Sequence, residues 1–131
     1  MDLDQAMIIA GVGCRRGASA REIETAIAQA LARSNLATSA LGMIATSQGK
    51  ADEAGIVGAA ATLGVQLALI APEELALASA KAATKSERVR ELIGVTSVAE
   101  AAALAAGGAN ARLLATRIVV GPVTCALGET P

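Results

Sequence analysis
The hydrophobic positions of this chain fall into short apolar runs that alternate with stretches of helical spacing. The first run, Met7 to Ala10, leads into Gly11-Val12-Gly13-Cys14-Arg15-Arg16-Gly17-Ala18-Ser19. Ile23, Ala26, Ile27, Ala30 and Leu31 then recur at the spacing of one helix face. Ser19 and Glu22 stand in capping-box register at the head of that stretch, so a hydroxyl takes one orphan amide and a carboxylate reaches back for another. The pattern predicts a strand, a glycine-rich turn and a helix ending near Ser34 and Asn35. Leu41 to Thr46 predicts a second buried strand, and Ser47 to Glu53 a second loop running into a helix. Asp52 and Glu53 are expected in the first turn of that helix, where its dipole favours acids. Ile56, Val57, Ala60 and Leu63 are its expected apolar stripe, and Gly64 its C-terminal cap.

A third apolar run, Val65 to Ala71, precedes Pro72, which suits the first position of a short helix backed by Glu73 and Glu74. Lys81 to Arg90 is the most basic stretch; it predicts a solvated loop and helix start rather than a flap over a ligand. There Thr84 and Glu87 would cap a short helix ending at Gly94. Ser97 and Glu100 form another capping box, opening an alanine-rich helix from Ala99 to Ala106 that Gly107-Gly108 stops. Leu113 to Val120 and Val123 to Leu127 predict two strands around Gly121-Pro122, before a polar tail from Gly128 to Pro131. The alternation predicts one α/β domain over residues 1–131, layered α/β/α, with a mixed sheet of about five strands. The first strands should be parallel, because helical crossovers join them, and the C-terminal hairpin antiparallel. Ligands of such sheets bind outside the carboxyl ends of the strands, where the first loop and the Thr46–Glu53 loop would meet.

Composition narrows the chemistry. Of 131 residues 53% are hydrophobic and none is Phe, Trp or Tyr, so the core must be aliphatic and no ring is available to stack on bases. With 11 basic and 12 acidic residues, no nucleic-acid footprint is expected. Histidine is absent, which removes the usual general base and the commonest metal ligand. Cys14 and Cys125 are far apart, with no Cys-x-x-Cys, so neither a metal site nor a disulfide framework is expected and a reduced, cytoplasmic setting fits. No basic region followed by a long apolar segment opens the chain, and no run approaches about 20 apolar residues, so neither an export signal nor a membrane span is expected.

The first loop carries the candidate chemistry. A glycine turn between strand and helix collects free amides and the positive end of a dipole, which suits an anion. Gly11 and Gly13 would let a ligand approach, and Arg15 and Arg16 supply guanidinium forks that match carboxylate or phosphate. Arg16 stands where the dinucleotide fingerprint needs glycine, and no Gly-Lys-Ser/Thr ends the loop, so both standard phosphate loops are excluded. Cys14, beside two arginines and a helix start, should have a lowered pKa and is a candidate nucleophile, although no histidine can serve as its base and a packed turn position fits better. Asp52 and Glu53 are a candidate acid–base pair, but neighbours on a helix point about 100° apart. Cys125, in mid-strand, reads as core.

Taken together, Gly-Val-Gly-Cys-Arg-Arg-Gly-Ala-Ser (11–19), Ala-Thr-x-x-x-Lys-Ala-Asp-Glu (45–53), Gly94, Ser-Val-Ala-Glu-Ala-Ala-Ala-Leu (97–104) and Thr124 resemble the CobE family of cobalamin biosynthesis, which is also the C-terminal domain of CbiG. The resemblance covers nearly the whole chain and implies a cytoplasmic role in building the corrin ring. CbiG opens the ring-A lactone of a cobalt-precorrin with release of acetaldehyde. No counterpart of its N-terminal region is seen here, so the resemblance implies a binder or auxiliary factor for a precorrin in the oxygen-dependent route. The alternatives are a lactone hydrolase and a non-catalytic partner of another pathway enzyme. No separate cofactor is implied. A precorrin bears acetate and propionate arms, for which Arg15, Arg16, Lys50 and Arg117 would supply cations. Relatives are expected to carry lysine near position 117; Arg117 keeps the charge and changes its geometry. Helix starts at Ser19 and Ser97 would add amides, and Gly11, Gly13, Cys14, Thr46 and Thr124 complete the expected ligand contacts.

Overall fold
A computed structural model describes residues 7–85, 97–108 and 110–130. In chain order the elements are β1 (Met7–Cys14), α1 (Ala20–Arg33), β2 (Leu41–Ser47), α2 (Ala54–Leu63), β3 (Gln66–Ile70), α3 (Pro72–Lys85), α4 (Val98–Gly107), β4 (Arg112–Val120) and β5 (Val123–Thr130). The five strands form one mixed sheet in the order β3-β2-β1-β5-β4. β1 pairs parallel with β2, and β2 with β3; β5 runs antiparallel to both β1 and β4. This is the α/β sheet that the alternation of strand and helix patterns predicts.

Period-two alternation divides the apolar residues of the central strands between two layers. Ile8, Ala10 and Val12 of β1, with Val123, Cys125 and Leu127 of β5, pack with Ile23, Ile27 and Leu31 of α1 and Ile56 of α2. Ile9 and Ala45 face the opposite side and pack with Ala102 and Ala103 of α4. Fully burying one such isoleucine or leucine stabilises the fold by about 1.5–3 kcal/mol. The alanine-rich α4 lies so close to the sheet that a Cβ on Gly11 would overlap the carbonyl oxygen of Ala99. Gly11 is therefore a close-packing position beneath a helix.

Several expected boundaries shift, each for a local reason. Asp52 and Glu53 precede α2 instead of forming its first turn: Gln48–Lys50 makes a 3-10 turn and Glu53 becomes the N-cap residue. The buried face of α2 is Gly55, Ile56, Ala59 and Ala60, while Val57 is exposed, because small residues let α2 pack closely against the start of α1. The helix after Pro72 runs for 14 residues, so Lys81 to Lys85 are helical and Thr84 lies within α3, not at a cap. The remainder of the basic stretch and the helix expected to end at Gly94 lie outside the described residues. Gly128 to Thr130 extend β5 through pairing with Met7 to Ile9, where a tail was expected. Among the described residues, no helix is long and apolar enough to cross a membrane.

Candidate functional site
The carboxyl end of β1, the start of α4 and the β4–β5 hairpin enclose an open cleft of about 350 Å³. Gly13, Cys14 and Arg15 come from the first strand and its turn; Ser97, Val98 and Ala99 from the start of α4; Arg117, Val119, Gly121, Pro122 and Thr124 from the hairpin. The Arg15 amide donates to the Pro122 carbonyl at 3.0 Å, which fixes the hairpin turn against the first loop. Val98 and Val119 are 49% and 69% exposed, so two aliphatic side chains stand open to solvent at the cleft.

The start of α4 is built around one buried carboxylate. Ser97 Oγ accepts from the Glu100 amide at 3.2 Å, and Glu100 Oε1 accepts from the Ser97 amide at 3.2 Å, the reciprocal pair of a capping box. Glu100 Oε2 also accepts from the Arg117 amide at 3.0 Å, and the Arg117 guanidinium lies 3.8 Å from Oε1. That amide is available because β4 is bulged: Ala115 pairs with Leu127 and Ile118 with Cys125, so two residues of β4 oppose Ala126 alone. The bulge brings Arg117 to the cleft. Capping was foreseen for Glu100; its bond to the bulge was not, since register shifts leave little trace in sequence.

Gly13, Cys14, Arg15, Ser97, Arg117 and Thr124 line this cleft together. The other expected ligand residues lie elsewhere. Gly11 is buried under α4. The Thr46 hydroxyl, fully buried, donates to the Val12 carbonyl at 2.7 Å and straps β2 to β1. Ser19 caps α1. Arg16 is exposed on the turn, and Lys50 is half-buried in the 3-10 turn after β2. Among the described residues no carboxylate forms an ion pair with Arg15 or Arg16.

The candidates for covalent and acid–base chemistry are not poised for it. The Cys14 pKa is raised, not lowered: burial dominates, Lys50 opposes it, and the Glu53 carboxylate pushes the same way as burial. A partly desolvated thiol favours its neutral form more than nearby cations favour the thiolate. Cys125 is buried in the sheet core, which pushes its pKa up to about 12. Both cysteines are free thiols. Glu53 Oε1 accepts from the Gly17 amide at 3.0 Å, joining the second loop to the first, while Asp52 is an exposed turn residue. The loops meet as expected, through a structural bond.

The mixed parallel and antiparallel sheet, with a cleft lined by Arg15 and Arg117 beside a helix start, makes the chain an α/β domain. Residues 8–128 match the family model described as cobalamin synthesis G C-terminus, and the chain belongs to that family. The chain is 33% identical over 120 residues to protein CobE of a Sinorhizobium species, an alignment spanning 92% of this chain and 78% of that protein. It is 34% identical over 100 residues to the cobalt-precorrin-5A hydrolase of Priestia megaterium, across 76% of this chain and 26% of the hydrolase. The crystal structure of CobE, a protein of the cobalamin (vitamin B12) biosynthetic pathway, superposes with a TM-score of 0.82 at 30% identity, covering 98% of each chain. That of cobalamin biosynthesis protein chiG from Agrobacterium tumefaciens superposes with a TM-score of 0.81 at 42% identity, covering 95% of this chain and 98% of the other. The chain is thus a cobalamin biosynthesis protein of the CobE and CbiG C-terminal family.

Proposed function
We propose that this protein binds a precorrin intermediate by its acidic periphery, as a carrier or auxiliary factor, with the cleft at the start of α4 as the contact. The observation that carries this reading is Arg15, a cation at the cleft with no carboxylate partner among the described residues. Arg117 lines the same cleft and keeps part of its charge available, since its contact with Glu100 is long at 3.8 Å. The first amides of α4, at Val98 and Ala99, stand at the positive end of the helix dipole. Val98, Val119 and Pro122 offer aliphatic surface to a macrocycle. Carrying fits better than hydrolysis, because the thiol is held neutral and the two acids of the second loop are not paired for proton transfer.

The test is incubation of the purified protein with uroporphyrin and with successive precorrin intermediates, followed by gel filtration, absorbance and mass. The expected result is co-elution of a tetrapyrrole of unchanged mass. Arg15→Ala should weaken it on the order of tenfold, the loss of one hydrogen bond to a charged group, and Arg16→Ala less. A tetrapyrrole whose mass changes, with acetaldehyde released, would make the protein a hydrolase. Co-purification with another pathway enzyme and no tetrapyrrole affinity would make it a partner subunit.

A further inference from the structure
The hairpin turn Gly121-Pro122 has a hollow on each side. One is the cleft already described; the other, of about 320 Å³, opens toward α1 and is lined by Ser19, Arg21, Glu22, Thr25 and Val120 with the turn itself. Pockets that bury most of a drug-sized molecule run to about 300–1,000 Å³. A tetrapyrrole with its carboxylate arms is larger than drug-sized, so a cleft of about 350 Å³ can take only one edge of it. The remainder must lie on neighbouring surface. The Arg15 bond to Pro122 holds the turn in place, and Gly121 and Pro122 line both hollows, so the two are neighbours across the turn.

From this geometry we propose that a carboxylated tetrapyrrole straddles the Gly121-Pro122 turn, with one edge in the α4 cleft and another in the α1 hollow, where Arg21 receives a second carboxylate arm. The inference rests on the reading given under Proposed function. Arg21 is exposed, and among the described residues no carboxylate forms an ion pair with it. Glu22 also lines the hollow, and its Oε1 accepts from the Ser19 amide at 2.9 Å, which holds that carboxylate at the cap. Val120 and Pro122 supply apolar surface to the hollow. The same footprint gives Ser19 a place at the ligand on the side away from α4.

The experiment is a fluorescence titration of uroporphyrin into the wild type and into Arg15→Ala, Arg21→Ala and Arg33→Ala at one fixed ionic strength. Arg33 is an exposed cation at the far end of α1, about 18 Å along the axis from Arg21, and controls for net charge. Alanine suits exposed helix positions, so both helix variants should fold. The expected result is affinity about fivefold weaker for Arg21→Ala, as for a single partly exposed charge contact, with Arg33→Ala unchanged. If Arg15→Ala weakens binding while Arg21→Ala matches Arg33→Ala, the straddling pose is overturned and the α4 cleft stands. If the wild type leaves uroporphyrin unbound, the carboxylate-recognising cleft is itself overturned and the pose with it.

Discussion

Two helices in this fold begin with the same device, and the two starts behave differently. At α1, Glu22 is exposed and, among the described residues, its carboxylate bonds to the Ser19 amide alone. At α4, Glu100 is 3% exposed, bonds to the Ser97 amide and to the amide of a β4 bulge, and lies 3.8 Å from the Arg117 guanidinium. Each start also rests on a glycine: a Cβ on Gly11 would overlap Ala99 of α4, and one on Gly55 would overlap Ala18 ahead of α1. Gly11 sits in the central strand of the sheet, whereas Gly55 presses against the backbone of Ala18 and Ser19 ahead of α1. The α1 start is an ordinary helix beginning, and the α4 start is tied into the sheet through Arg117 of β4 and packed on Gly11 of β1. Such fixed geometry is what a recognition cleft needs from its walls, because ordering them at binding would reduce affinity.

Glycine substitutions should break the comparison most severely. Gly11→Ala is expected to cost about 3 kcal/mol, at the upper end of overpacking costs, because neither strand nor helix can move. Gly55→Ala should destabilise as well, because an added Cβ would meet the backbone of the buried Ala18. Gly13→Ala, with no atom near an added Cβ, should leave the melting temperature almost unchanged. Next comes the carboxylate pair. Glu100→Ala should cost about 3 kcal/mol by denaturant unfolding, through a lost cap, an orphaned bulge amide and an unpaired guanidinium; Glu22→Ala should cost about 1 kcal/mol, a cap alone. Equal values for the two would mean that the bulge bond contributes nothing.

The smallest effect concerns the thiols. Because burial holds Cys14 above its ordinary value of 9.0, iodoacetamide should alkylate it more slowly at pH 8 than a cysteine in an unstructured peptide. Both folded-state thiol pKa values are raised, so their stabilising contribution is intact below pH 9. It is lost as the pH climbs toward about 12 for Cys125, at no more than about 1.4 kcal/mol per pH unit per thiol. Alkylation of Cys14 faster than the peptide would restore the activated nucleophile that its arginine neighbours suggest.

The sheet and its connections were legible because they rest on local signals: apolar runs, Ser-x-x-Glu caps and glycine stops. Both capping boxes and the left-handed cap at Gly64 are where the spacing puts them. The site was legible only in part. Arg15 could be picked out because its turn is local to one strand end. What escaped were the features that depend on register and burial. The β4 bulge brings Arg117 to Glu100 across 17 positions of sequence, and burial overrides the arginines at Cys14. Thr46 ends the strand expected there, but it is fully buried and its hydroxyl serves the Val12 carbonyl, where a ligand contact was expected.

The central claim is that the α4 start and the hairpin turn together recognise a carboxylated tetrapyrrole. Amide chemical-shift mapping during addition of uroporphyrin tests it most directly. The account predicts the largest shifts at Arg15, Val98, Ala99 and Gly121, with the Arg21 amide shifting as the second hollow fills. Shifts confined to the outer face of α3, around the exposed Leu77, with the α4 start silent, would contradict it.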